Sequence, residues 1–88
     1  QASDDLTTTA DATVGIAAAQ ILAASTTRRA AVISAAPGNS DNIRVGDSNV
    51  GAARGITLQP GQSVTIETTA AIYAYSATAA QTAELMEV

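Results

Sequence analysis

Apolar and polar residues alternate with a period of two in several short runs, each bounded by turn-forming residues. The clearest case is residues 55–67, GITLQPGQSVTIE. Ile56, Leu58, Val64 and Ile66 alternate there with Thr57 and Thr65, as in a half-buried sheet. Between them, Pro60 presets φ and Gly61 accepts a positive φ, so the stretch predicts two strands joined as a hairpin. Residues 12–17 set Val14 and Ile16 against Thr13 and Gly15 and predict another strand. The next stretch, AAAQILAAS, is ambiguous: alanine favours helix and Ser25 would end it, yet the segment is shorter than an independently stable helix. A short strand over residues 20–23 is predicted, with one helical turn as the alternative.

Residues 29–36, RAAVISAA, are apolar on both faces and predict a central strand covered on both sides. PGNSD, residues 37–41, is dense in turn formers and reads as a loop. In residues 42–45, Ile43 and Val45 oppose Arg44; residues 46–54 read as a mobile loop with Val50 tucked beneath it. Residues 68–70 turn the chain into a strand over 71–76, and in a last strand over 80–87 Ala83 and Leu85 oppose Glu84 and Met86. Seven or eight short strands at a spacing of about 8–12 residues predict an all-β fold, a small antiparallel β-sandwich or partly closed barrel. Residues 11–88 form its single domain, and residues 1–10 an extended N-terminal arm. In QASDDLTTT, residues 1–9, Leu6 is the one large apolar side chain. Such a segment is either a frayed terminus or an arm that orders on a partner with Leu6 as its anchor.

Composition adds that the core is thin. In 88 residues there is no Phe or Trp, there are two Tyr, and about a quarter of the chain is alanine. Alanine buries little area, so burial leaves a small surplus over chain entropy. Cysteine and histidine are absent, which removes disulfides and the usual zinc sites. A thin core without staples predicts stabilisation by oligomerisation or by docking on a larger body. The net charge of −4, with four arginines and no lysine, argues against nucleic acid. No apolar run approaches the about 18 residues of a membrane span, and the polar, acidic start does not read as a signal peptide.

Candidate chemistry is sparse, and the residues predict no enzyme and no cofactor. Without His or Cys, the remaining route is a carboxylate pair, Asp41 with Asp47 or Glu67 with Glu84. Each of these is first a solvated surface charge. Asp47-Ser48-Asn49 resembles half a calcium loop but lacks the other ligands and the closing glutamate. Tyr73 and Tyr75 in AIYAYSA leave the same face of one strand, either as a cross-strand ladder or as interface anchors. Arg28 and Arg29 open the 29–36 strand as a solvated end or as a clamp for a partner's carboxylate.

Taken together, these pieces resemble a family of small β-sandwich modules on tailed bacteriophage particles, the head decoration (cement) proteins, with relatives in head- and tail-fibre proteins. The likeness runs over residues 12–88. It rests on Arg28-Arg29 before an apolar strand, the polar turn before Asn42-Ile43, and Val45-Gly46. It continues through Gly55-Ile56-Thr57-Leu58 with Pro60-Gly61, Ala71-Ile72-Tyr73-Ala74, and a terminal strand closing on Glu87. The loop at residues 36–41 departs from it, since such modules often turn directly after the strand. The resemblance implies a virion structural role on the outer surface of the head, with the major capsid protein as partner and no catalysis. Association as homotrimers at capsid three-fold positions is the accompanying expectation, with Leu6, Arg28, Arg29, Tyr73 and Tyr75 as interface candidates. A second reading is a fibre or tail-associated module whose loops at 37–41 and 46–54, or whose tyrosine face, bind host-surface carbohydrate. A third is a non-viral sandwich within a larger extracellular assembly.

Overall fold

The computed structural model describes residues 7–88. Its strands are β1 (Thr7–Val14), β2 (Ala19–Leu22), β3 (Ala31–Ala35), β4 (Ile43–Gly46), β5 (Ile56–Leu58), β6 (Ser63–Ile66), β7 (Ile72–Tyr75) and β8 (Gln81–Glu87), with no helix among the described residues. They form two antiparallel four-stranded sheets in the orders β1-β8-β3-β6 and β2-β7-β4-β5. The fold is therefore all-β and consistent with the small β-sandwich, one of the two architectures that the alternation predicted, and within the ambiguous alanine-rich stretch residues 19–22 form a strand.

The alternation fixes the inside. Ala31, Ile33 and Ala35 of β3, Ile43 and Val45 of β4, Ile72 and Ala74 of β7, and Ala83 and Leu85 of β8 point into one core with Val14, Leu22 and Leu58. One-residue slips would turn each of these sets outward, so burial pins the register. On β3 the expectation of cover on both faces is corrected: Val32 and Ser34 are only partly buried. Val32 lies beside Thr65 of β6 and Met86 of β8, and Met86 beside Thr8 of β1. Medium-sized neighbours in the same sheet shield Val32 edge-on, and among the described residues no second layer lies above it.

Two local expectations change. Strand β1 begins at Thr7 and pairs with β8 from Thr7 opposite Glu87 onward, so residues 7–10, expected in the arm, are sheet. Leu6 and the residues before it lie outside the described residues. At its other end the predicted strand over 12–17 stops at Val14, and Ile16 is 67% exposed. The second change concerns Pro60-Gly61, which does not close a hairpin. Strand β5 pairs with β4 and strand β6 with β3, in different sheets. The Gln62 amide donates to the Gln59 carbonyl at 2.9 Å and Gly61 has φ 88°, the geometry of a type II turn. Such a turn splays its strands, whereas two-residue hairpins use the mirror-image types. The Gly61 amide donates to the Ala35 carbonyl and the Ala35 amide to the Gln62 carbonyl, both at 2.8 Å, which delivers β6 alongside β3. Of the connections, β4 to β5 alone stays within a sheet.

Candidate interaction surfaces

The sandwich is open along the side where β5 and β6 are the edges of their sheets. Edge strands leave a row of backbone groups unpaired. Between these two edges lies a largely apolar groove of about 360 Å³, lined by Val45, Ile56, Ile66 and Ile72 with the small residues Ala70 and Ala71. The turn at Pro60-Gly61 sends β5 and β6 into different sheets, and the groove lies between their ends away from that turn. Ile56 is 51% exposed although its cross-strand neighbour Val45 is buried. Leu58, two residues further along the same edge strand, is buried, so the exposure is confined to the end of β5 that borders the groove.

The arginine pair splits. Arg29 is exposed, whereas Arg28 is buried at 5% exposure. The Arg28 Nε donates to the Thr68 carbonyl at 2.9 Å, one terminal nitrogen to the Ala23 carbonyl at 3.1 Å and to Glu87 Oε1 at 2.9 Å, and the other to the Ala70 carbonyl. This guanidinium joins the β2–β3 and β6–β7 connections to the end of β8. It faces inward, so the partner-clamping role assigned to the pair is available to Arg29 alone.

Tyr73 and Tyr75 leave the outer face of the β2-β7-β4-β5 sheet, both half-buried, while Ile72 and Ala74 point inward. Tyr73 stands opposite Gly46 on one side and Gln20 on the other; Tyr75 stands opposite Arg44, which is opposite Thr57. A pocket of about 200 Å³ with a mixed lining opens beside Tyr75, where Asp41, Asn42, Arg44, Thr57 and Ser76 meet Ala52 and Ala77. Alternation alone places Arg44 and Tyr75 outward, but only strand order makes them neighbours. For that reason the pocket was missed from the sequence.

The loop at 37–42 forms one wall of this pocket and is held by a side chain that the sequence reading passed over. Gln81 is buried at the start of β8; its Oε1 accepts from the amides of Ser40 at 2.8 Å and Asp41 at 3.1 Å, and its Nε2 donates to Ser40 Oγ and the Thr78 carbonyl. Asn39 bonds the backbone of Thr82 in both directions, and Ser76 Oγ donates to the Asn42 carbonyl at 2.8 Å. A polar residue in the inward register of Ala83 and Leu85 was the available signal, because a buried amide requires partners. Replacing Gln81 with leucine is expected to lower stability by about 2–3 kcal/mol, since two loop amides lose their acceptor. Urea unfolding of the variant checks this, and accelerated hydrogen exchange at Ser40 and Asp41 locates it.

Of the candidate carboxylates, Asp41 lines the pocket beside Tyr75 and Asp47 lines the groove. Asp41 accepts from the Thr78 hydroxyl at 2.7 Å and the Asn42 amide at 2.7 Å, and these bonds hold its carboxyl below the usual carboxylate range. Asp47 accepts from the Asn49 amide at 2.9 Å within its own loop. Glu84 is exposed on the outer face of its sheet and Glu67 is exposed beyond β6. Among the described residues, no group of three acidic side chains gathers as a metal cluster. Comparison with known proteins gave no matching family model, no matching curated protein and no matching solved structure.

Proposed function

We propose that this protein is a virion structural subunit, a decoration protein that binds the outer surface of a tailed-phage head and ties neighbouring capsid proteins together. The observation that carries the reading is the open edge: two strands that are sheet edges among the described residues flank an apolar groove, with Ile56 half exposed on its lip. Isolated surface isoleucines need no explanation, but one on the lip of an apolar groove marks a contact surface. The thin core supports the same reading, because burying the groove against a neighbour adds apolar contact that this alanine-rich interior lacks. In the proposed arrangement the groove meets the next copy around a three-fold position. Residues 1–6, with Leu6, reach the capsid protein, and Arg29 is free to meet a carboxylate there. Repetition over a symmetric shell multiplies modest contacts of about 800 Å² per partner through avidity. The identification with phage heads in particular rests on the likeness of residues 12–88 to decoration modules.

The test is co-sedimentation with expanded heads purified without their outer proteins. Wild type is expected to saturate at hundreds of copies per particle. Ile56→Glu, which places a charge on the groove, is expected to bind at least tenfold more weakly, and removal of residues 1–6 to weaken binding as well. Wild-type protein that stays in the supernatant with heads present would refute the proposal.

A further inference from the structure

We propose that the pocket between Tyr75 and Arg44 is a binding site for a single sugar ring. Its walls carry opposite charges that do not neutralise each other. Asp41 and Arg44 both line it, yet the ion pair recorded among the described residues is Arg28 with Glu87. Both groups are held in place from behind: Asp41 by the Thr78 hydroxyl and the Asn42 amide, Arg44 by a bond from one terminal nitrogen to the Gly55 carbonyl at 3.2 Å. Among the described residues that is its one hydrogen bond, which leaves most of the five guanidinium donors without a protein acceptor.

This set of groups selects its ligand by chemistry. A phosphate or carboxylate would meet the fixed charge of Asp41, and a simple cation would meet Arg44. A purely apolar ligand would strip water from both charges without replacing its hydrogen bonds. A neutral polyol satisfies both, because each hydroxyl donates to the carboxylate or accepts from the guanidinium as required. Tyr75 then supplies a ring beside the polar groups, against which the C–H face of a pyranose can lie. A volume of about 200 Å³ is below the about 300 Å³ at which pockets for drug-sized ligands begin, so one ring is accommodated rather than a chain. The floor is prebuilt, with the Ser76 hydroxyl fastened to the Asn42 carbonyl and Gln81 fastening the loop behind Asp41. Tyr73 faces Gly46 and Gln20 and is not among the pocket's lining residues. The site therefore belongs to one of the two tyrosines and does not depend on attachment to a phage head.

Backbone amide shifts of the isolated protein, followed during titration with methyl glycosides of glucose, galactose, mannose and N-acetylglucosamine, test the site. At least one glycoside is expected to give saturable shifts at Asp41, Asn42, Ser76 and Ala77 with a dissociation constant in the millimolar range. Tyr75→Ala is expected to weaken it tenfold or more, Arg44→Met and Asp41→Asn several-fold each, while Tyr73→Ala binds as wild type does. Failure of all four glycosides to shift these amides overturns the proposal. It also falls if inorganic phosphate or glycine betaine occupies the pocket more tightly than any glycoside, or if Tyr73→Ala abolishes binding in a variant that keeps wild-type thermal stability.

Discussion

Arg28→Met is expected to lower the unfolding free energy by about 3–5 kcal/mol, the range for breaking a buried charged network by removing one partner. Methionine keeps the length and apolar stem of the side chain and removes every donor. The carbonyls of Ala23, Thr68 and Ala70 and the carboxylate of Glu87 then lose their shared partner. For an 88-residue domain the whole stability is roughly 4–13 kcal/mol, so this single change brings the chain near the edge of folding. Arg28→Lys is expected to fall between the two, since a point charge can reach one or two of these acceptors but cannot fan out to all of them. Arg29→Met, at an exposed neighbour, is expected to change stability by less than about 0.5 kcal/mol. Urea unfolding of the three variants checks the order. A midpoint for Arg28→Met within error of wild type would show that the network contributes little. Glu87→Gln in the same series isolates the carboxylate: it retains an acceptor and loses the charge, so it is expected to be milder than Arg28→Met.

The contrast between the two arginines shows where reading the sequence stops. Strand positions were legible because inward alanines, valines and isoleucines alternate with polar residues and turn formers close each run. Ile72 and Ala74 against Tyr73 and Tyr75 needed nothing more. Extending the period of β3 backward from Ala31, however, puts Arg29 on the inner face and Arg28 outside, the reverse of the structure. The strand begins only at Ala31, and across the irregular residues before it the period no longer applies. Which arginine turns inward is decided by the carbonyls of Thr68 and Ala70, about forty residues away in the chain. Pairing was equally hidden. Pro60-Gly61 was read correctly as a turn, and its type II geometry contained the information that the strands separate, but the partners of β5 and β6 depend on strand order. The groove and the sugar-sized pocket both arise from that order, so neither could be assembled from local pattern. Leu6 was conspicuous in the sequence and lies outside the described residues, so its assignment rests on the pattern alone.

Gly55 is the residue at which the two proposed surfaces meet. It lines the groove, and its carbonyl accepts from Arg44 of the pocket beside Tyr75. Its φ is 108°, a backbone conformation that side-chain-bearing residues rarely adopt, and a Cβ built there would stand 2.6 Å from Val50 Cγ2 and 2.8 Å from the Val45 carbonyl oxygen. Gly55→Ala therefore meets two penalties. The backbone strain is about 1–3 kcal/mol, and forced overpacking adds a similar amount, for an expected loss of about 3 kcal/mol or more. Gly61 separates these contributions: its φ is 88° but nothing lies within 4 Å of an added Cβ, so Gly61→Ala is expected to show the backbone strain alone. Combining Gly55→Ala with Val50→Ala removes the clash with the valine methyl, yet the carbonyl of Val45 is fixed by its place in β4 and cannot withdraw. The double variant is thus expected to keep most of the backbone strain and the carbonyl clash, and to lose the packing of Val50 as well, leaving it no more stable than Gly55→Ala. Moving Gly55 is expected to weaken head binding and glycoside binding together, with every side chain of the groove and pocket intact. Full recovery in the double variant, or a Gly55→Ala protein as stable as wild type, would mean that the β4–β5 loop yields where its contacts say it is fixed.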